Sequence, residues 1–194
     1  MTDIGLRNAV KRVALLNLGY FGVEFAVALS IGSVSLFADS IDFLEDASVS
    51  LLILMALGWS IRNRARVGMG LAGILLIPGL ATIWTAWHKF MVPVAPEPLP
   101  LSLTGLGALV VNLSCAMMLV RFRDHSGSLT RAAFLSALND ALANIAIVAA
   151  GIVTAFLWHS AWPDLIVGIA IAAMNADAAR EVWMTARDEQ RAAA

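Results

Sequence analysis

The chain has 194 residues, 60% of them hydrophobic and only 14% charged, with a formal net charge of −1. That balance excludes an ordinary soluble domain, and the modest Pro and Gly content excludes low-complexity disorder. A nearly neutral charge gives no footing for nucleic acid. The single cysteine, Cys115, lies in an apolar run, rules out an internal disulfide and reads as packing.

The chain opens Met-Thr-Asp, shows no small-residue cleavage site and runs into a long apolar stretch, which reads as a retained span rather than a signal peptide. A helix needs about 20 apolar residues to cross the hydrocarbon core. Six stretches qualify, at 10–31, 36–60, 67–90, 100–121, 131–158 and 162–184. Gly32-Ser33 makes a tight hairpin between the first two, and Arg62 to Arg66 form a basic loop. Pro78-Gly79 should kink the third span. Residues 93–100, PVAPEPLP, should interrupt the helix, because Pro lacks a donor and clashes with the preceding turn. Arg121 to Arg131 form a second basic loop, and Trp162-Pro163-Asp164 opens the last span with Pro in a first-turn position.

Six spans put both termini on one side of the membrane. Arg7, Lys11, Arg12, Arg62, Arg64, Arg66, Arg121, Arg123, Arg131, Arg180, Arg187 and Arg191 then share that side, leaving only Lys89 on the other. This asymmetry makes both termini cytoplasmic. Trp84, Trp87, Trp158 and Trp162 fall near the outer interface as an aromatic belt. The expected architecture is all-α: a cytoplasmic segment 1–9, a six-helix transmembrane unit 10–184 and a short cytoplasmic tail 185–194, too short for a folded soluble domain. Heavy use of Ala, Arg and Trp fits a bacterial inner membrane.

Acidic residues interrupt these spans: Glu24 in the first, Asp39, Asp42, Glu45 and Asp46 in the second, Asp140 in the fifth and Asp177 in the sixth. Each costs about 2.5–3.5 kcal/mol at a helix centre. No span carries Lys or Arg at matching depth, so protons or bound cations must neutralise the carboxylates. Asp42 and Asp46 are four residues apart on one helical face, with Asp39 continuing the stripe. Ser136 and Asp140 repeat the four-residue step and Asn144 adds a turn. Facing each other, two such helices offer carboxylate, hydroxyl and amide oxygens suited to a divalent cation. Metal and proton would compete for the same oxygens.

At these residues the chain resembles the cation diffusion facilitator family of metal/proton antiporters. The resemblance rests on A-L-L-N-L (14–18), G-S-V-S-L-F-A-D-S-I-D-F-L-E-D (32–46), L-V-V-N-L (109–113) and A-F-L-S-A-L-N-D-A-L-A-N (133–144). It implies a transport site between the second and fifth helices, formed here by Asp42, Asp46, Asp140 and Ser136, with alternating access and export of a divalent metal against protons. Ser136 stands where the family carries His or Asp; Asn139, Asn144 or a water would complete the set. Losing an imidazole turns the site toward Mn²⁺, Fe²⁺ or Mg²⁺, and Zn²⁺ also accepts carboxylates. The chain looks like a short form without the cytoplasmic C-terminal domain of many members, and the resemblance implies a homodimer. His125 is what remains of the His-rich loop that some members carry. Gly168, Ala172 and Ala176 form a small-residue stripe for helix packing.

Around this set, Asp39 is read as a secondary ligand, a gate or a solvated helix end. Glu45 lines the cavity or supports a ligand. Glu24 relays protons or bonds Asn17 and Asn112. Asn17 and Asn112 read as interhelical glue, while Asp177 and the lone His88, His125 and His159 read as solvated. No H-E-x-x-H, no Ser or Cys with a neighbouring His and no nucleotide-binding motif occurs, so neither an enzyme nor a prosthetic group is expected. The alternative to a transporter is a transport-inactive metal-binding sensor or partner subunit, which Ser136 keeps open; a proton-only conductance is a further reading.

Overall fold

The computed structural model describes residues 2–56, 80–122 and 128–175. Within them are six α-helices: α1 (Thr2–Ile31), α2 (Val34–Ala56), α3 (80–91), α4 (Pro98–Leu119), α5 (Ser128–Phe156) and α6 (Trp162–Asn175). No strand occurs among the described residues. The basic loop at 62–66, the Pro78-Gly79 kink, His125, Ala176 and Asp177 lie outside them.

Three helices, at Ile4–Ile31, Pro98–Phe122 and Ala133–Phe156, are long and apolar enough to cross a membrane. α2 is long enough as well, but Asp39, Asp42, Glu45 and Asp46 break its apolar run. Two boundaries differ from expectation. α1 begins at Thr2, well before its apolar stretch, because its first turns already bury Leu6, Ala9, Val10 and Val13 while Arg7, Lys11 and Arg12 stay exposed. α4 begins at Pro98, two residues before the expected start at Pro100. First-turn N–H groups have no intrahelical acceptor, so Pro loses nothing there.

α1 packs along α2 and α4 along α5; contacts of α1 with α4 and of α2 with α5 close a four-helix bundle. Its core is split into two apolar clusters. One, at the end where α1 begins, gathers Leu6, Val10 and Val13 with Ile53, Leu119 and Phe134. The other, near the α1–α2 turn, gathers Leu36, Phe37 and Ile41 with Leu101, Ile147 and Ile171. The polar and acidic residues of the spans lie in the belt between them.

The α1–α2 turn is as tight as the sequence suggests. Gly32 has φ +62°, a left-handed conformation that side chains resist. α6 then comes close to the start of α2, where a Cβ on Gly168 would sit 2.8 Å from the Ser35 nitrogen and 2.7 Å from a Val34 methyl. The small-residue stripe thus serves packing inside the chain at Gly168. Trp84, Trp87, Trp158 and Trp162 are exposed, with Phe90 bridging Trp87 and Trp162 at centroid distances of 6.2 and 6.0 Å. His88 and His159 are exposed too.

Candidate metal-transport site

α2 carries its acids at three- and four-residue steps, so they share the face turned toward α1 and α5. Asp39 and Asp42 are buried, and Glu45 and Asp46 partly so. On α5, Ser136 and Asp140 are partly buried and Asn144 is fully buried, while Asn139 is exposed. Helical periodicity explains that split: 136, 140 and 144 form one stripe, and 139 turns off it.

The helices meet at Asp46. Ser136 Oγ donates to its Oδ1 at 3.0 Å, and Asn17 Nδ2 from α1 donates to its Oδ2 at 3.4 Å. Asn17 Oδ1 in turn accepts the thiol of Cys115 on α4 at 3.6 Å. Asp42 lies in the combined field of Asp140, Asp39, Glu45 and Asp46. Asn144 Nδ2 is spent on the Asp140 backbone carbonyl at 2.7 Å, leaving its buried Oδ1 unpartnered. Among the described residues no three His, Cys, Asp or Glu side chains close on one point. The carboxylates line a common belt without forming a closed ligand shell.

One turn along α2, the Asp39 carboxyl faces Glu24 of α1. Both are fully buried, and none of their oxygens has a hydrogen-bond partner. Two buried carboxylates facing each other without a donor between them repel unless one is protonated. Tyr20 lies beside the pair and donates to the Thr104 carbonyl at 2.6 Å. The expected bonds from Glu24 to Asn17 and Asn112 are not formed: Asn17 is turned to Asp46, and Asn112 Oδ1 is unpartnered.

The sequence reading missed Asp164, noted only as the opening of α6. Its fully buried carboxylate accepts Ser33 Oγ and Ser35 Oγ at 2.6 Å each, Val34 N at 2.8 Å and Ser35 N at 3.2 Å. It thus caps the free N–H groups of α2, a placement favoured by the helix dipole. Lys89 of α3 completes the clasp by donating to the Gly32 carbonyl. A signal was present in sequence, Ser33-x-Ser35 ahead of an apolar helix, but its partner lies 129 residues away.

Comparison with known proteins agrees with this architecture. Residues 10–189 match the family model described as the cation efflux transmembrane domain. Proteins named zinc transporter ZitB, from Yersinia pseudotuberculosis serotype I (strain IP32953) and from Yersinia pestis, are each 26% identical over 153 residues, covering 72% of this chain and 49% of the relative. The chain spans about half the length of the curated relatives it matches. With its apolar helices and a family match over most of its length, the chain is an integral membrane protein and belongs to the cation efflux family.

Proposed function

We propose that the chain moves a divalent metal cation across the membrane in exchange for protons, through the acidic belt between α2 and α5. One observation carries this reading. Glu24, Asp39 and Asp42 are buried inside an apolar bundle, and no Lys or Arg among the described residues pairs with them. Three such groups at about 2.5–3.5 kcal/mol each are too expensive for a merely structural bundle. Cations must come and go there, and the ones available are protons and metal ions.

Asp42, Asp46, Asp140 and Ser136 are the proposed ligands, with Asn144 Oδ1 as the spare amide oxygen. A dication draws the α2 and α5 carboxylates toward one point and displaces their protons. The Glu24–Asp39 pair holds a proton beside this site and passes it on. All proposed ligands are oxygens, which suits Mn²⁺, Fe²⁺ and Mg²⁺. The name of the Yersinia relatives places Zn²⁺ first among the ions to test. The chain works in this reading in a bacterial inner membrane, as a homodimer, exporting its ion.

The test is metal-driven proton flux in proteoliposomes with Zn²⁺, Mn²⁺, Fe²⁺, Co²⁺ and Mg²⁺, for the native chain and Asp46→Ala. One metal driving opposite proton movement, lost in Asp46→Ala, supports the antiporter. A folded protein that binds metal and moves none favours the sensor reading. Proton flux that ignores metal refutes both.

A further inference from the structure

Asp46 differs from the other acids of the belt. Among bonds between described residues, it is the one carboxylate of α2 and α5 with a side-chain donor on each oxygen, Asn17 from α1 and Ser136 from α5. Asn17 is fully buried and so is Cys115, which reaches it from α4. An asparagine amide has an accepting end and a donating end, and a neutral thiol acts chiefly as a weak donor. With the Cys115 thiol against Oδ1, the NH₂ end is turned to Asp46. The reverse amide would set its oxygen against a carboxylate oxygen and its NH₂ against the thiol proton.

We propose that Asn17 is a positioning residue for the metal site, holding Asp46 in the orientation that takes the ion, and that the Cys115 thiol sets which end of Asn17 faces Asp46. The inference rests on Asp46 being a metal ligand. It gives roles to two residues otherwise explained as helix glue and as packing. A carboxylate already oriented from two sides loses little freedom when a cation arrives, so the chain Cys115–Asn17–Asp46 acts on affinity. Turnover depends on helix movement and proton transfer, which these two hydrogen bonds do not supply. All of α1, α2, α4 and α5 contribute to holding this carboxylate, so the ion senses the whole bundle through one ligand.

The test compares Asn17→Leu, Cys115→Ala and Cys115→Ser with the native protein. Zn²⁺ affinity is measured by calorimetry in detergent, and KM and kcat by Zn²⁺-driven flux in proteoliposomes. Asn17→Leu keeps the branched shape without the donor and should raise Kd and KM about tenfold, the effect of losing one hydrogen bond to a charged group, with kcat little changed. Cys115→Ala should raise them about threefold, whereas Cys115→Ser, which keeps a donor, should stay close to native. Unchanged Kd and KM in Asn17→Leu overturn the proposal, as does Cys115→Ser behaving like Cys115→Ala. If Asn17→Leu fails to fold, the two Cys115 variants decide. If the native protein binds Zn²⁺ without transporting it, the antiport reading falls and the affinities still test the positioning. If it binds no Zn²⁺, the same affinity series is read with Mn²⁺, Fe²⁺, Co²⁺ and Mg²⁺; a protein that binds none of these ions overturns both.

Discussion

Asp164→Asn is the perturbation with the best-defined geometry. Three donors converge on Oδ1, from Ser33, the Ser35 hydroxyl and the Ser35 backbone, while Val34 N–H points at Oδ2. Asparagine keeps the shape but replaces one acceptor with a donor. Its less harmful orientation leaves oxygen where the three donors meet and sets NH₂ against the Val34 N–H. That strands one buried donor, at about 1–3 kcal/mol, and turns three charge-assisted bonds into neutral ones of roughly half the strength. Removing negative charge from the α2 N-terminus adds up to ~1 kcal/mol, while relief from desolvating a carboxylate offsets part of the loss. The net expectation is a destabilisation of about 3 kcal/mol. Equilibrium unfolding by SDS titration in mixed micelles, followed by circular dichroism, measures it. A change below about 0.5 kcal/mol, the range of an inconsequential surface substitution, would refute the clasp as an anchor of α2.

Two further outcomes follow from the same packing and chemistry. Gly168→Ala pushes a methyl into the Ser35 backbone and should destabilise by about 1–3 kcal/mol, because backbone cannot rotate away as a side chain can; unfolding within error of the native chain would show that α6 has room to shift. In the proposed mechanism metal and protons compete for the Asp42, Asp46 and Asp140 oxygens, so acidifying the metal-loading side should raise the apparent KM for the metal without lowering the maximal rate. Flux measured across a pH series at fixed opposite-side pH checks this, and a KM that ignores pH would separate the two cations.

Legibility in the sequence followed sequence separation. The Asp42–Asp46 and Ser136–Asp140 steps could be read because four residues return to the same helical face, whatever the tertiary context. The Gly32-Ser33 turn could be read because its chemistry is local, and Gly32 indeed takes a positive φ. The partners of those residues could not. Asn17 meets Asp46 across 29 residues, Cys115 meets Asn17 across 98, and Asp164 meets Ser35 across 129. No local rule distinguishes an asparagine that orients a ligand from one that ties two helices. Pro98 misled in the opposite way: a local rule against helix was applied to a residue that occupies a first turn, where that rule is suspended.

The acidic load of α2 also governs how the protein is made. Every stretch of 18 residues within Val34–Ala56 contains all four of Asp39, Asp42, Glu45 and Asp46, which sets α2 apart from the apolar α1, α4 and α5. Such a segment gains less from lipid than an uncharged one does. α1 precedes it, joined by two residues, and brings Glu24 to meet Asp39. The two should therefore enter the bilayer as one helical hairpin. Lengthening the Gly32-Ser33 connection with flexible residues would uncouple their entry and strand α2 outside the membrane during synthesis.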